Sequence, residues 1–199
     1  MKLLKLIVLT SGISIFLASC ATDAAYKVSS ELTAPYITNA DNQDKDDLAL
    51  QSKLNALYKK QIPNNAIDIL VSQGNTLLVG QVANSSDKNK AAILAKQNPA
   101  VSTVFNYLTI NSIKPVLNKN SSLAQKALTR IQSQNDISGK YVKTTAVDGI
   151  VYIMGTNLGN LTSLDEAIKG IYAMDGVNKV VNLVQPGDMD YTESKEYVD

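Results

Sequence analysis

One cysteine and no histidine set narrow limits on the chemistry open to this chain. Histidine is the commonest general base near neutral pH and the commonest metal ligand, so its absence removes both. Asp165 and Glu166 could be imagined as a paired acid and base. In the pattern Ser163-Leu164-Asp165-Glu166 they read instead as carboxylates of a first helical turn, where the helix dipole favours them. Asp41, Asp44, Asp46 and Asp47 crowd together like calcium ligands but lack the glycine and distal glutamate of an EF-hand loop, so no metal site is expected. Gly74, Gly80, Gly149 and Gly155 form no nucleotide-binding pattern and read as turn and strand-end glycines. The formal net charge of +1 gives no large basic excess for nucleic acid. No catalytic residue and no cofactor are expected, and the chain is not read as an enzyme.

Two kinds of reactive group remain. Cys20 is one. The other is a basic set, Lys119, Lys126 and Arg130. Lys126 and Arg130 stand four residues apart and share a helix face, with Lys119 placed just before that helix. Like charges at this spacing are mildly unfavourable on an isolated helix. The set is therefore a candidate contact for lipid phosphates, where a basic residue contributes about 1 kcal/mol near an anionic surface. The alternative is an ordinary solvated helix face.

Cys20 ends an apolar run. Lys2 and Lys5 make a basic start, and Leu6 to Ala18 follow with few polar residues. That stretch of helix reaches about 20 Å, short of the ~30 Å hydrocarbon core. A basic stub, a short apolar region and small residues before the cysteine read as a secretory signal over residues 1–19. Leu17-Ala18-Ser19-Cys20 resembles the lipobox of bacterial lipoproteins. The resemblance implies cleavage before Cys20 and a covalent acyl/diacylglycerol lipid on its sulfur. Ala21 follows, where an aspartate usually signals inner-membrane retention in that family, so the implied location is the outer membrane, facing the periplasm.

The remaining chain divides by pattern. Residues 20–43 lack a sustained period and read as a lipidated N-terminus and flexible tether, and 187–199 as a solvated acidic tail. Between them the sequence repeats. Gly74 and Gly80 enclose an apolar run, as do Gly149 and Gly155; Val101 to Asn106 matches Val177 to Asn182 in its spacing of valine and asparagine. Leu50, Leu54 and Leu57 line one helix. Leu123, Ala127, Leu128 and Ile131 line its counterpart, after a cap expected at Ser121-Ser122. A second helix in each copy follows a hairpin. One starts near Ser86 and stops at Asn98-Pro99; the other carries Leu164, Ile168 and Ile171, with Gly176 placed to end it. Each copy reads helix, strand, strand, helix, strand. An antiparallel hairpin and a helical crossover then predict an α+β fold, each copy a small three-stranded mixed sheet with two helices on one face.

Two αββαβ copies with this glycine spacing, each ending in V-x-x-V-x-N, resemble tandem BON domains, here at 44–114 and 115–186. Behind a lipobox the arrangement is similar to the dual-BON outer-membrane lipoproteins. That resemblance implies a non-enzymatic role in envelope integrity, with anionic phospholipid bound by the second BON domain. A protein–protein adaptor that recruits an envelope assembly or cell-wall factor is the alternative.

Overall fold

The computed structural model of the chain describes residues 39–138, 141–156, 158–185 and 195–197. Cys20, the expected signal peptide and most of the expected tether and tail lie outside these residues. No helix among the described residues is long and apolar enough to cross a membrane.

Helix α1 spans Asn39–Gln61. It buries Leu50, Leu54 and Tyr58 on one face, and Ile62 continues that face just past its end. Aspartates stand in its first half and Lys59 and Lys60 in its last turn, as the helix dipole favours. Pro63 forbids a further turn. The helix starts earlier than the composition suggests, so residues 39–43 are helical rather than tether. Strands β1 (Asn65–Ser72) and β2 (Asn75–Val82) then pair antiparallel. Helix α2 (Ser85–Lys96) crosses over to β3 (Thr103–Asn106), which runs parallel to β2. A short β4 (Thr109–Ile110) continues along β2.

The second copy repeats the order. Helix α3 (Ser121–Gln132), strands β5 (Lys143–Val147) and β6 (Ile150–Thr156), helix α4 (Leu161–Tyr172) and strand β7 (Lys179–Gln185) follow in turn. Again the hairpin is antiparallel and the crossover pair parallel. The fold is α+β with two small mixed sheets. Each sheet has four strands rather than the expected three. In the second, the extra strand is β8 (Lys195–Tyr197), antiparallel to β7, so three residues of the expected solvated tail cover an otherwise open sheet edge.

Both hairpins turn through two residues of positive φ, Gln73 (51°) with Gly74 (77°) and Asp148 (53°) with Gly149 (77°). This is the turn whose twist matches paired strands. The helix starts differ from expectation. Asn120, not Ser121-Ser122, caps α3, its side chain accepting from the Leu123 N–H at 2.9 Å. Asn160 caps α4 through the Thr162 N–H at 2.9 Å and the Ser163 N–H at 3.4 Å. Asp165 and Glu166 therefore lie in the second turn, and Ser163 does not open a capping box. Asparagine competes well for this position because its short side chain reaches the free amides of the first turn.

Strand alternation divides the interior into three apolar clusters. Ile69, Val71, Leu78 and Val82 face α1 and α2. Ala146, Val151, Ile153 and Val180 face α3 and α4. The intervening residues of the same strands, Leu77 and Val79 from one sheet and Val147, Tyr152, Met154, Val181 and Leu183 from the other, pack together in the third cluster. The two sheets therefore meet face to face, with a helical layer on each outer side. Tyr107 and Tyr152 meet edge to face across this junction, with ring centroids 5.4 Å apart. Each copy alone has too little core to be comfortably stable, and the shared cluster removes the apolar sheet face from water.

Polar links join the copies at the rim. Lys119 pairs with Asp68 at 2.8 Å, and the Thr145 hydroxyl donates to the same carboxylate at 3.1 Å. Lys143 pairs with Asp47 at 2.8 Å and Asp44 at 3.0 Å and donates to the Val71 carbonyl at 3.0 Å. Asn75 donates to the Gln185 side chain at 3.2 Å, and Thr156 hydrogen-bonds Gln73.

Candidate functional site

Helix α3 has two unlike faces. Leu123, Ala124, Ala127 and Ile131 are buried, and the two alanines let the helix sit close to the sheet. Lys126 and Arg130 lie on the exposed face, one turn apart. With Ser122, Gln125, Thr129 and Ser133 they form one wall of an open groove of about 850 Å³. Ala173, Met174 and Asp175, just past the end of α4, form the other. Hydroxyl and amide groups outnumber apolar ones along α3, so the surface offers hydrogen bonds and two cations. Asp175 is the one carboxylate in the lining.

The Arg130 guanidinium lies across α4 over Gly170, where a methyl group would stand 2.7 Å from both Nε and Nη2 and push the side chain aside. The sequence signal was a glycine inside an amphipathic helix, where it is unfavourable by about 1 kcal/mol relative to alanine unless packing requires it. Lys126 makes no ion pair among the described residues.

The structure separates Lys119 from this pair. Its ammonium is held by Asp68 of β1, and its backbone bridges to Val147. Lys119 therefore joins the two copies instead of extending the α3 surface, because the segment before α3 runs along β5 before the helix begins.

The four glycines occupy two kinds of place. Gly74 and Gly149 are the second residues of the two hairpin turns. Gly80 and Gly155 sit on the return strands, each where a side chain would strike a carbonyl of the hairpin partner: Ala66 for Gly80, Tyr141 for Gly155. Gly80 also has φ of 102°, which Gly155 does not share.

Among the described residues no group of three or more acids, cysteines or histidines converges on a metal position. Asp47 is 3% exposed, and its carboxylate accepts from the Gln73 N–H at 2.9 Å, the Gly74 N–H at 3.2 Å and Lys143. Asp44 shares Lys143. The aspartate run on α1 thus fixes the first hairpin turn and ties it to the second copy. A single aspartate at this spacing gave no sequence signal for that task.

Two titrating groups are shifted. Burial pushes the Tyr58 hydroxyl up, and it donates to the Ala91 carbonyl at 2.8 Å, joining α1 to α2. The hydrogen bond from Ser163 holds the exposed Asp136 carboxyl below its ordinary value, with Asn160 assisting. Neither group lines the α3 groove, and neither is placed for acid–base work on a ligand.

Residues 46–112 match the BON domain family. Over 189 residues the chain is 28% identical to outer membrane lipoprotein DolP of Haemophilus influenzae, an alignment that covers 90% of this chain and 95% of that protein. Two solved structures of CdsD, a structural protein of the type III secretion system of Chlamydia trachomatis, align at 16% identity. They cover 69% and 74% of this chain and 64% and 70% of theirs, with TM-scores of 0.27 and 0.30. Part of the first copy thus matches the BON domain family, and the chain is similar along most of its length to a DolP lipoprotein.

Proposed function

We propose that this protein is a non-enzymatic, lipid-anchored module of the outer membrane that faces the periplasm and supports envelope integrity. Its second copy contacts anionic phospholipid through Lys126 and Arg130. The observation that carries the reading is the α3 groove, where two cations and a row of hydroxyl and amide groups stand exposed on one rigid helix. Similarity to an outer membrane lipoprotein supports the location, and Cys20 is the residue that would carry the anchor. The charge pattern suits lipid phosphates, which accept hydrogen bonds and attract cations. Lys119 is not part of the contact, since it is paired to Asp68.

The test is binding to phosphatidylglycerol vesicles by wild type and by the Lys126→Glu, Arg130→Glu double variant. Losing two contributions of about 1 kcal/mol weakens binding about thirtyfold. Wild-type binding also falls as salt rises, since exposed charges are screened over about 8–10 Å. Undiminished, salt-independent binding by the folded double variant rejects the α3 contact. In parallel, the mass of the N-terminal peptide reports the anchor: an unmodified Cys20 rejects it.

A second reading has one observation in its favour. Ile113 is 97% exposed in the connection between the copies, with Ile110 and Val116 also exposed. An exposed apolar cluster of this kind suits a protein partner, as an adaptor that recruits an envelope assembly or cell-wall factor requires. Absence of wild-type binding to anionic vesicles favours this reading.

A further inference from the structure

The two sheets differ at equivalent edges. Strand β7 is closed by β8, which pairs antiparallel opposite Val180, Val181 and Asn182. The repeat matches these residues with Val104, Phe105 and Asn106 of β3. No strand among the described residues pairs with the outer edge of β3. Burial follows: Val180, Val181 and Asn182 are buried, whereas Val104, Phe105 and Asn106 are half-exposed. The Tyr107 N–H donates to the Leu78 carbonyl of β2 at 2.9 Å, so alternation turns the amides and carbonyls of Val104 and Asn106 outward. Strand β3 carries neither the charge nor the proline that blunts an open edge.

Helix α2 runs beside this edge, and the Asn106 side chain donates to the Lys88 carbonyl at 3.0 Å. Lys90, which bonds the Gln61 carbonyl, marks the side of α2 that faces α1. Lys88, Ala92 and Lys96 follow one another at single-turn spacing on the opposite side, along β3. The spacing that sets Val104 on Val180 also sets Lys88 on Leu164 and Ala92 on Ile168, which are buried at 1% and 0%. Where the second copy has core, the first has a half-exposed lysine and alanine. Lys88 and Lys96 make no ion pair among the described residues. From Lys88 to Lys114 the sequence holds four lysines and no acid.

We propose that the outer edge of β3 docks an extended segment of another protein, in which acidic and apolar residues alternate, as an antiparallel strand opposite residues 104–106. Main-chain hydrogen bonds hold such a strand, and its alternate side chains select it. Val104 packs toward the helices and Phe105 toward the sheet junction. Acids on one face of the segment therefore stand beside Lys88 and Lys96, and apolar residues on the other stand beside Phe105. The β8 segment of a second copy does not serve, because it would leave its own β7 edge bare and the exchange adds no ladder pair. The inference deepens the adaptor reading, on which it rests, and sets the contact apart from both Ile113 and the α3 groove.

The test uses the full chain in phosphatidylcholine nanodiscs and a fluorescent decapeptide of alternating glutamate and valine. Anisotropy reads the affinity, and hydrogen exchange with mass spectrometry reads the position. The expected result is saturable binding with slowed exchange over residues 103–106. Affinity falls about tenfold in Lys88→Glu with Lys96→Glu, since each exposed ion pair is weak and two are reversed. The milder Lys88→Gln, Lys96→Gln variant, checked for fold by circular dichroism, shows the same direction. A peptide N-methylated at its glutamate amides cannot pair along the edge and loses binding. Lys126→Glu with Arg130→Glu leaves binding unchanged, which separates this edge from the α3 groove. Equal affinity of the N-methylated peptide, or protection confined to β7 with release of β8, overturns the proposal. So does a cross-linked dimer with residues 103–106 protected before peptide is added, which assigns the edge to a second copy. Absence of peptide binding overturns the β3 site and leaves standing the exposed Ile113 on which the adaptor reading was built.

Discussion

Asp47 is the most heavily used side chain at the junction of the two copies, and its removal has a calculable effect. In Asp47→Ala, the Gln73 and Gly74 amides lose their acceptor, and Lys143 loses its shorter ion pair. Breaking a buried pair by deleting one partner is unfavourable by about 3–5 kcal/mol, and each stranded buried amide by about 1–3. Those figures do not simply add here. Lys143 is 23% exposed and keeps Asp44 and the Val71 carbonyl, and the turn amides can admit water once the carboxylate is gone. A net loss of about 2–4 kcal/mol follows. With a denaturant slope of about 2 kcal/mol per molar urea, the midpoint falls by about 1–2 M. The assay is urea unfolding of the full chain, followed by circular dichroism and by tyrosine fluorescence. Because the sheets share one apolar cluster, the probes should trace one transition. A double-mutant cycle with Lys143→Met isolates the charge pair, with a coupling of about 0.5–3 kcal/mol expected. A shift below about 0.5 kcal/mol in Asp47→Ala, the usual effect of a surface substitution, would refute the reasoning.

Other outcomes follow from geometry and titration. Gly80→Ala drives a methyl into the Ala66 carbonyl oxygen at a φ of 102°, whereas Gly176→Ala at φ 84° meets nothing within 4 Å. Thermal unfolding should therefore show Gly176→Ala losing about 1–2 kcal/mol and Gly80→Ala clearly more; equal losses would contradict the close approach of the strands. Asp136 has a lowered carboxyl pKa in the folded chain, so its contribution to stability is present above the ordinary aspartate value and is lost as pH falls through the folded value. Wild type should lose more stability than Asp136→Asn in that acidic window, as read by urea midpoints at several pH values, and identical acid profiles would argue against the Ser163 hydrogen bond.

The elements of the fold were legible because local chemistry and tertiary need agreed. Asp148-Gly149 announces a two-residue hairpin, and the structure turns there through two positive φ values. Leu164, Ile168 and Ile171 recur at helical spacing, and all are buried. The caps were misread because Ser121, next to Asn120, and Ser163, three residues beyond Asn160, carry the same preference, and only geometry decides which side chain reaches the free amides. Lys126 and Arg130 were legible as a shared face. Lys119 was not, because its partner Asp68 lies on a distant strand of the other copy, and no sequence period reports such a pairing.

The arrangement of the two copies was also present in the sequence, in a form easily passed over. A sheet with helices on one face and water on the other should alternate apolar and polar residues. The return strands do not. Leu77-Leu78-Val79 and Ile150-Val151-Tyr152-Ile153-Met154 are apolar at every position, and nearly all of these side chains are buried. Uninterrupted runs of this kind require cover on both faces. Helices α1 to α4 supply cover for only one face of each sheet, so the other faces must be covered by each other. The same reasoning fixes where ligands can reach. With the sheets committed to the interior, only the helical layers and the rims remain exposed, and each helical layer carries a groove with two cations on its first helix. Charge reversal in one should therefore leave the other intact, because the shared sheet core lies between them.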